Sequence, residues 1–180
     1  MSSDQTLTPT SYIVLGLLAA AGASTPYALK QGVAGSIGHF WSVPHSQLYA
    51  EPERLARAGL VSEEREPGGR RRRVYAITDR GREALVSWLA TDDVRLPELR
   101  DAGLLKLFFG AEPRAIAPQL AAGHRERLEL YRSLHEGLQR MGNPAADGAL
   151  LTLEAGIAHA EVWVAFWERL AREGQAGDAR

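Results

Sequence analysis

Leu60-Val61-Ser62-Glu63, the polar run Glu64 to Arg73, then Arg73-Val74-Tyr75-Ala76-Ile77 and Thr78 decide the fold. The two flanks are short runs rich in β-branched and apolar residues, and Pro67-Gly68-Gly69 lies between them. That pattern predicts a β-hairpin with a glycine tip. The second strand is basic, because Arg70 to Arg73 stand side by side. Thr78 is placed to cap a helix over about 79–91, in which Leu85, Trp88 and Leu89 share one face at i, i+3 and i+4.

Three short helices are predicted before the hairpin. Ser42 can cap the third, with Pro44 in its first turn. Leu48, Leu55 and Leu60 mark its buried side, and Gly59 marks its end. Pro52 lacks an N–H and crowds the Leu48 carbonyl, which predicts a kink or break there. Thr25 caps the second helix, with Pro26 at its first position. Tyr27, Leu29 and Val33 form its apolar side, Ile37 and Phe40-Trp41 extend that side, and glycines 32, 35 and 38 leave its end open. Thr8 caps the first helix, about Pro9 to Ala21, which Gly22 stops. Its interior, Tyr12 to Leu18, is apolar nearly all round, as in a helix at the centre of a small domain.

Beyond the hairpin the pattern is helical. A short helix is expected over Pro97 to Phe109. A long one follows over Pro113 to Met141, with Pro118 kinking its start or shifting its beginning. Gly142 to Gly148 reads as a loop, about 149–173 as a last helix, and the tail after Gly174 as disordered. The expected architecture is mostly α with a small β-hairpin wing. Residues 1–91 form a winged helix-turn-helix, and residues 92–180 form a helical dimerisation and effector domain.

Composition is that of an ordinary globular chain: 180 residues, 45% hydrophobic and 24% charged. The absence of cysteine excludes disulfides and thiolate metal sites and fits a reducing cytoplasm. Met1 to Thr6 lacks a basic leader region, and the apolar run Tyr12 to Ala21 is too short to span a bilayer, so no membrane partner is expected. Net charge is −1 and carries no nucleic-acid signal. The halves differ weakly: residues 1–91 hold 10 Lys/Arg and 8 Asp/Glu, residues 92–180 hold 11 and 14.

Three helices and a basic hairpin have a definite chemistry toward DNA. The third helix can enter a major groove, where His45, Ser46, Gln47 and Tyr49 on its first turns offer donors and acceptors to base edges. Gln can read adenine with both amide atoms. Arg70, Arg71, Arg72 and Arg73 would meet phosphates, which supply affinity and register. A basic hairpin tip can equally be a solvated turn, and His45-Ser46-Gln47 can be any helix start. Glu63, Glu64 and Glu66 would repel DNA unless they lie on the far strand, away from it.

A resemblance bears on this choice. Tyr12-Ile13-Val14-Leu15-Gly16-Leu17-Leu18, Thr25-Pro26-Tyr27-Ala28-Leu29-Lys30 and Gly38-His39-Phe40-Trp41 resemble PadR-family regulators. So do Ser46-Gln47-Leu48-Tyr49, Arg54-Leu55, Gly59-Leu60-Val61, Gly69 to Arg72 and Val74 to Arg82. Leu104 to Gly110 resembles the start of the longer C-terminal region of one branch of that family. The chain departs from the family where proline often follows the Leu-Tyr pair: Ala50 stands there, and the proline is Pro52. The resemblance implies a cytoplasmic homodimeric repressor without a cofactor. Its partners would be double-stranded DNA at a pseudo-palindromic operator and a small, often aromatic or drug-like ligand that releases it. Tyr27, Lys30 and Tyr75 join the DNA-binding set on that resemblance.

In the C-terminal half, Trp163, Phe166, Trp167 and Leu170 form one face too apolar to leave in water. It can be intramolecular core, a dimer interface or the lining of an effector pocket, since flat ligands stack on indole. His124 and His135 are eleven residues apart on one helix, about 16 Å along its axis, and cannot share an ion. His159 with Glu161 lacks a third ligand, so no metal is expected. No phosphate loop or catalytic triad order is present, and an enzyme is not expected. The alternatives to a dimeric DNA-binding regulator are a winged-helix module that binds protein, and an enzyme or metal sensor. Steep salt dependence of DNA binding separates the first from the second. Metal content or turnover would identify the third.

Overall fold

The computed structural model describes residues 6–65, 72–92, 96–143 and 146–176. The chain divides into two compact units, residues 1–95 and 96–180. The first unit contains α1 (Pro9–Ala21), α2 (Pro26–Ala34), a 3₁₀ turn at Ile37–His39, α3 (His45–Arg57), β1 (Val61–Arg65), β2 (Arg73–Ile77) and α4 (Asp79–Leu89).

Local chemistry sets the helix starts. Thr8 and Ser11 form a reciprocal capping box at α1, Thr25 accepts from the Ala28 N–H at α2, and Thr78 accepts from the Gly81 N–H at α4. Ser42 does not cap α3. That helix begins at His45 with Pro44 in the cap position, and no side chain bonds its first turn. α3 also runs unbroken through Pro52. The ring is buried, so its packing offsets the one backbone bond that Pro52 cannot make.

α1 lies at the centre of the unit. Val14, Leu15 and Leu18 pack against Leu29 and Val33 of α2, Leu48 and Leu55 of α3, and Val61 and Tyr75 of the hairpin. Each such side chain contributes about 1.5–3 kcal/mol on burial. The strands pair antiparallel, Val61 opposite Ile77, Glu63 opposite Tyr75 and Arg65 opposite Arg73. Ser24 adds a bridge on the other side of β2: its N–H donates to the Tyr75 carbonyl at 2.8 Å and its carbonyl accepts from the Tyr75 N–H at 2.9 Å. On α4, Leu85 packs on the core and Trp88 stacks on Tyr12 at 4.5 Å, while Leu89 is exposed.

The second unit contains α5 (Ala102–Phe108), α6 (Pro113–Met141) and α7 (Asp147–Ala176). α5 starts later than Pro97 because Asp101 is its cap, accepting from the Leu104 N–H at 3.0 Å. α6 continues through Pro118 without a break. α7 includes residues 174–176, expected to be disordered, and residues 177–180 lie outside the described residues. α6 and α7 run antiparallel, joined by Arg125–Glu168, Arg132–Glu161 (2.6 Å) and His135–Glu154 (3.4 Å). Gly156 lets them approach: a Cβ there would stand 2.9 Å from the Tyr131 ring. The stretch Asp147–Glu173 is long and apolar enough, by length and composition only, to cross a membrane.

Candidate nucleic-acid interface

α3 divides into two faces. Leu48, Pro52 and Leu55 point into the core, and His45, Ser46, Gln47 and Tyr49 are exposed. The inward face alone does not fix the helix. Ser11 of α1 is buried, and its hydroxyl donates to Glu51 Oε1 at 2.6 Å. Arg54 donates to both Glu51 oxygens, at 2.9 and 2.6 Å, and to Ser11 Oγ at 2.8 Å. This three-residue network ties the start of α1 to the middle of α3. Burial pushes the Glu51 carboxyl up, but the hydrogen bonds from Arg54 and Ser11 and the Arg54 charge outweigh it and hold the carboxyl below its usual range.

Gln47 is exposed, and its Oε1 accepts from Thr10 of α1 at 3.0 Å. Reading adenine with both amide atoms would require that bond to be released. On α2, Tyr27 is exposed with its hydroxyl accepting from Gln31 at 2.9 Å, and Lys30 is half-buried.

The hairpin alters the expected basic cluster. Arg70 and Arg71 lie outside the described residues. Arg72 is exposed and makes no ion pair among the described residues. Arg73 instead pairs with Glu53 of α3 and with Glu63 of β1 (3.6 Å). It joins the wing to the third helix, and its charge is already met by two carboxylates. The same pairing sets a cation against Glu63 across the strands. Glu64 is exposed, and Glu66 lies outside the described residues. Tyr75 is corrected outright. It is 0% exposed, flanked by Ser24 on one side and β1 on the other, with its hydroxyl 3.3 Å from Glu63 Oε2. Burial holds the phenol above its ordinary value. Tyr75 is core and has no access to DNA.

In the second unit, Trp167 is 0% exposed and packs with Ala117 and Ala121, and Trp163, Phe166 and Leu170 pack on the same cluster. Trp167 is therefore core within one chain, while Trp163, Phe166 and Leu170 keep part of their surface exposed. Trp163 stacks on His124 at 5.7 Å and donates from Nε1 to His159 Nε2 at 2.7 Å. Burial, reinforced by Arg127, holds His124 below the usual imidazole value.

The residues that the sequence did not reveal are Ser11, Glu51 and Arg54, and the pairing of Arg73 with Glu53. Glu51 and Arg54 do stand at helical spacing, i and i+3. Ser11 and Arg73 reach α3 only through tertiary packing.

Three helices closed by a two-stranded wing, with an exposed polar start on the third helix, define a winged helix-turn-helix protein. The model of the transcriptional regulator PadR-like family matches residues 14–87, and one described as virulence activator alpha C-term matches residues 99–173. The negative transcriptional regulator PadR of Bacillus subtilis is 30% identical over 100 residues, 54% of this chain and 54% of the relative. The chain thus aligns with about half the length of that relative. A probable transcriptional regulator of Mycobacterium tuberculosis is 30% identical over 156 residues, 72% of this chain and 76% of that protein. The crystal structure of Bacillus subtilis PadR in complex with operator DNA shares the fold with a TM-score of 0.81 at 22% identity, covering 94% of this chain and 99% of that one. The same protein in complex with p-coumaric acid gives 0.74 at 22% identity, covering 92% and 98%. The chain belongs to the PadR-like family of transcriptional regulators, a family of regulators and not of enzymes.

Proposed function

We propose that the chain is a sequence-specific DNA-binding repressor. It acts in the cytoplasm as a homodimer on a pseudo-palindromic operator, and a small aromatic or drug-like ligand releases it. The observation that carries this reading is the exposed start of α3, His45, Ser46, Gln47 and Tyr49, on a helix whose other face packs on the core and whose middle is tied to α1. Operator DNA bound to Bacillus subtilis PadR supports the DNA partner, and p-coumaric acid bound to it supports a small ligand. The description of that relative as a negative regulator supports repression. The dimer is supported by apolar side chains left exposed on the second unit: Phe108 at 82%, Phe109 at 78%, Leu151 and Val162.

Gln47→Ala tests the reading. It removes a base-edge candidate and one bond to Thr10 without touching the core. We expect discrimination between the operator and altered half-sites to fall by about 1–3 kcal/mol while binding to random DNA holds. Unchanged discrimination would remove Gln47 from the reading surface.

Arg72→Ala and Arg73→Ala should differ. The first should weaken binding to every DNA sequence and lower the salt slope by about 1. The second should instead loosen the wing, seen as faster proteolysis within residues 61–77. Identical salt slopes for the two variants would contradict the distinction.

A further inference from the structure

We propose that Thr10 of α1 is a specificity-determining residue: it holds the Gln47 oxygen, leaves the carboxamide nitrogen for DNA, and so turns the start of α3 toward guanine in preference to adenine. This role rests on the base reading proposed above. Gln47 is the third residue of α3. A glutamine at that place ordinarily reaches back to the N–H of the cap residue. The cap here is Pro44, which has no N–H, and no side chain bonds the first turn. The carboxamide therefore has no capping role. It turns to α1 instead, where Thr10 Oγ1 donates to Gln47 Oε1 at 3.0 Å. Gln47 Nε2 has no hydrogen-bond partner among the described residues.

The place of Thr10 in α1 frees its hydroxyl for this bond. A threonine inside a helix commonly turns its hydroxyl back to the carbonyl three or four residues earlier. Thr10 is the second residue of α1, and the residues at those places, Leu7 and Thr6, precede the helix. The reciprocal bonds of Thr8 and Ser11 fix the turn that carries Thr10. Ser11, the next residue, bonds Glu51, one turn along α3 from Gln47. The seam between α1 and α3 thus has two rungs. The part-buried rung of Ser11, Glu51 and Arg54 already ties the helices, and the exposed rung of Thr10 and Gln47 is left to set the direction of the carboxamide. Adenine presents N7 as an acceptor beside N6–H2 as a donor, so a glutamine must bring Oε1 and Nε2 to it side by side. With Oε1 drawn to α1, the end left for DNA only donates. Guanine presents two neighbouring acceptors, N7 and O6, to such a donor.

The test lets the full wild-type chain, Gln47→Ala, Thr10→Val, Thr10→Ala and Thr10→Ser each select bound duplexes from one random DNA pool, with base-pair frequencies counted at every enriched position. Gln47→Ala marks the position that Gln47 reads by flattening its preference. At that position the wild type should favour a G·C pair over an A·T pair. Thr10→Val and Thr10→Ala should each lower that ratio about fivefold or more, the worth of one hydrogen bond. Thr10→Ser keeps a hydroxyl and should hold the wild-type ratio. Preferences at the other enriched positions should not change in any Thr10 variant. An A·T pair favoured by the wild type at the marked position, or a ratio unmoved in both Thr10→Val and Thr10→Ala, would overturn the proposal and leave base reading by Gln47 intact. An even loss of affinity for all duplexes in those two variants, with the ratio held, would make Thr10 a structural tie and overturn it too. If Gln47→Ala flattens no position, or if no sequence is enriched by the wild type, base reading by Gln47 falls and the role of Thr10 falls with it.

Discussion

Gly81→Ala is expected to destabilise the first unit by about 3 kcal/mol, lowering its melting temperature by about 10 °C or more. An added Cβ would lie 2.1 Å from the Leu60 carbonyl oxygen and 2.9 Å from Ile77 Cγ1. The oxygen cannot simply move aside, because it accepts the Thr78 N–H at 3.1 Å and so closes the junction of β2 with α4. The Gly81 N–H is also the one that Thr78 Oγ1 caps. One methyl group therefore acts on strand, turn and helix start together. Gly16→Ala is the matching control. It sits inside α1 with nothing within 4 Å of its Cβ position, and alanine there should stabilise the unit by about 0.5–1 kcal/mol. Thermal melts of the two variants should move in opposite directions. Movement in the same direction would contradict the close approach at Gly81.

Arg54→Met should cost about 2 kcal/mol and weaken operator binding. It leaves the Glu51 carboxylate, whose side chain is 12% exposed, with Ser11 alone. Stranding a buried partner costs about 3–5 kcal/mol, and partial exposure of Arg54, at 25%, brings the figure down. Because α3 is held at its middle by this network, the exposed first turns should lose their fixed direction, so affinity should fall beyond what stability alone explains. Acid behaviour follows from the sign of the Glu51 shift. Its folded-state value lies below the ordinary 4.5, so the carboxylate stabilises the fold above that pH, and the stabilisation is lost as pH falls through the folded value. Glu51→Gln should therefore be less stable than the wild type at pH 7 and show a shallower loss below about pH 4.5. Parallel acid-unfolding curves would contradict the assignment.

What the sequence could convey was local. Thr8, Thr25 and Thr78 mark helix starts because a hydroxyl bonds N–H groups within its own turn, and the hairpin shows because its glycine tip and flanks are contiguous. Tyr75 entered the DNA-binding set on resemblance alone, whereas its burial comes from packing with residues of α1, α2 and α3 far away in the chain. Arg73 belongs to a run of four arginines, yet the acids that hold it come from α3 and β1. By backbone chemistry alone Pro52 predicted a kink or a break and Pro118 a kinked or shifted start, and both lie inside unbroken helices. The four-residue apolar face on α7 was legible as a face, but only packing against Ala117 and Ala121 of α6 places Trp167 in the core. The exposed start of α3 could be read because it needs only helical periodicity. Its anchoring through Ser11 could not.

We propose that this chain grips DNA through charge and reads it through the start of α3. The most direct test is equilibrium binding of the full chain, at several salt concentrations, to the DNA flanking its own gene and to a scrambled duplex of the same length. A protected pseudo-palindrome is expected in the flanking DNA, bound about a thousandfold or more tightly than the scrambled duplex, with affinity for both falling steeply as salt rises. Equal, weak and salt-insensitive binding to both duplexes would contradict it and leave the winged helix as a surface for protein.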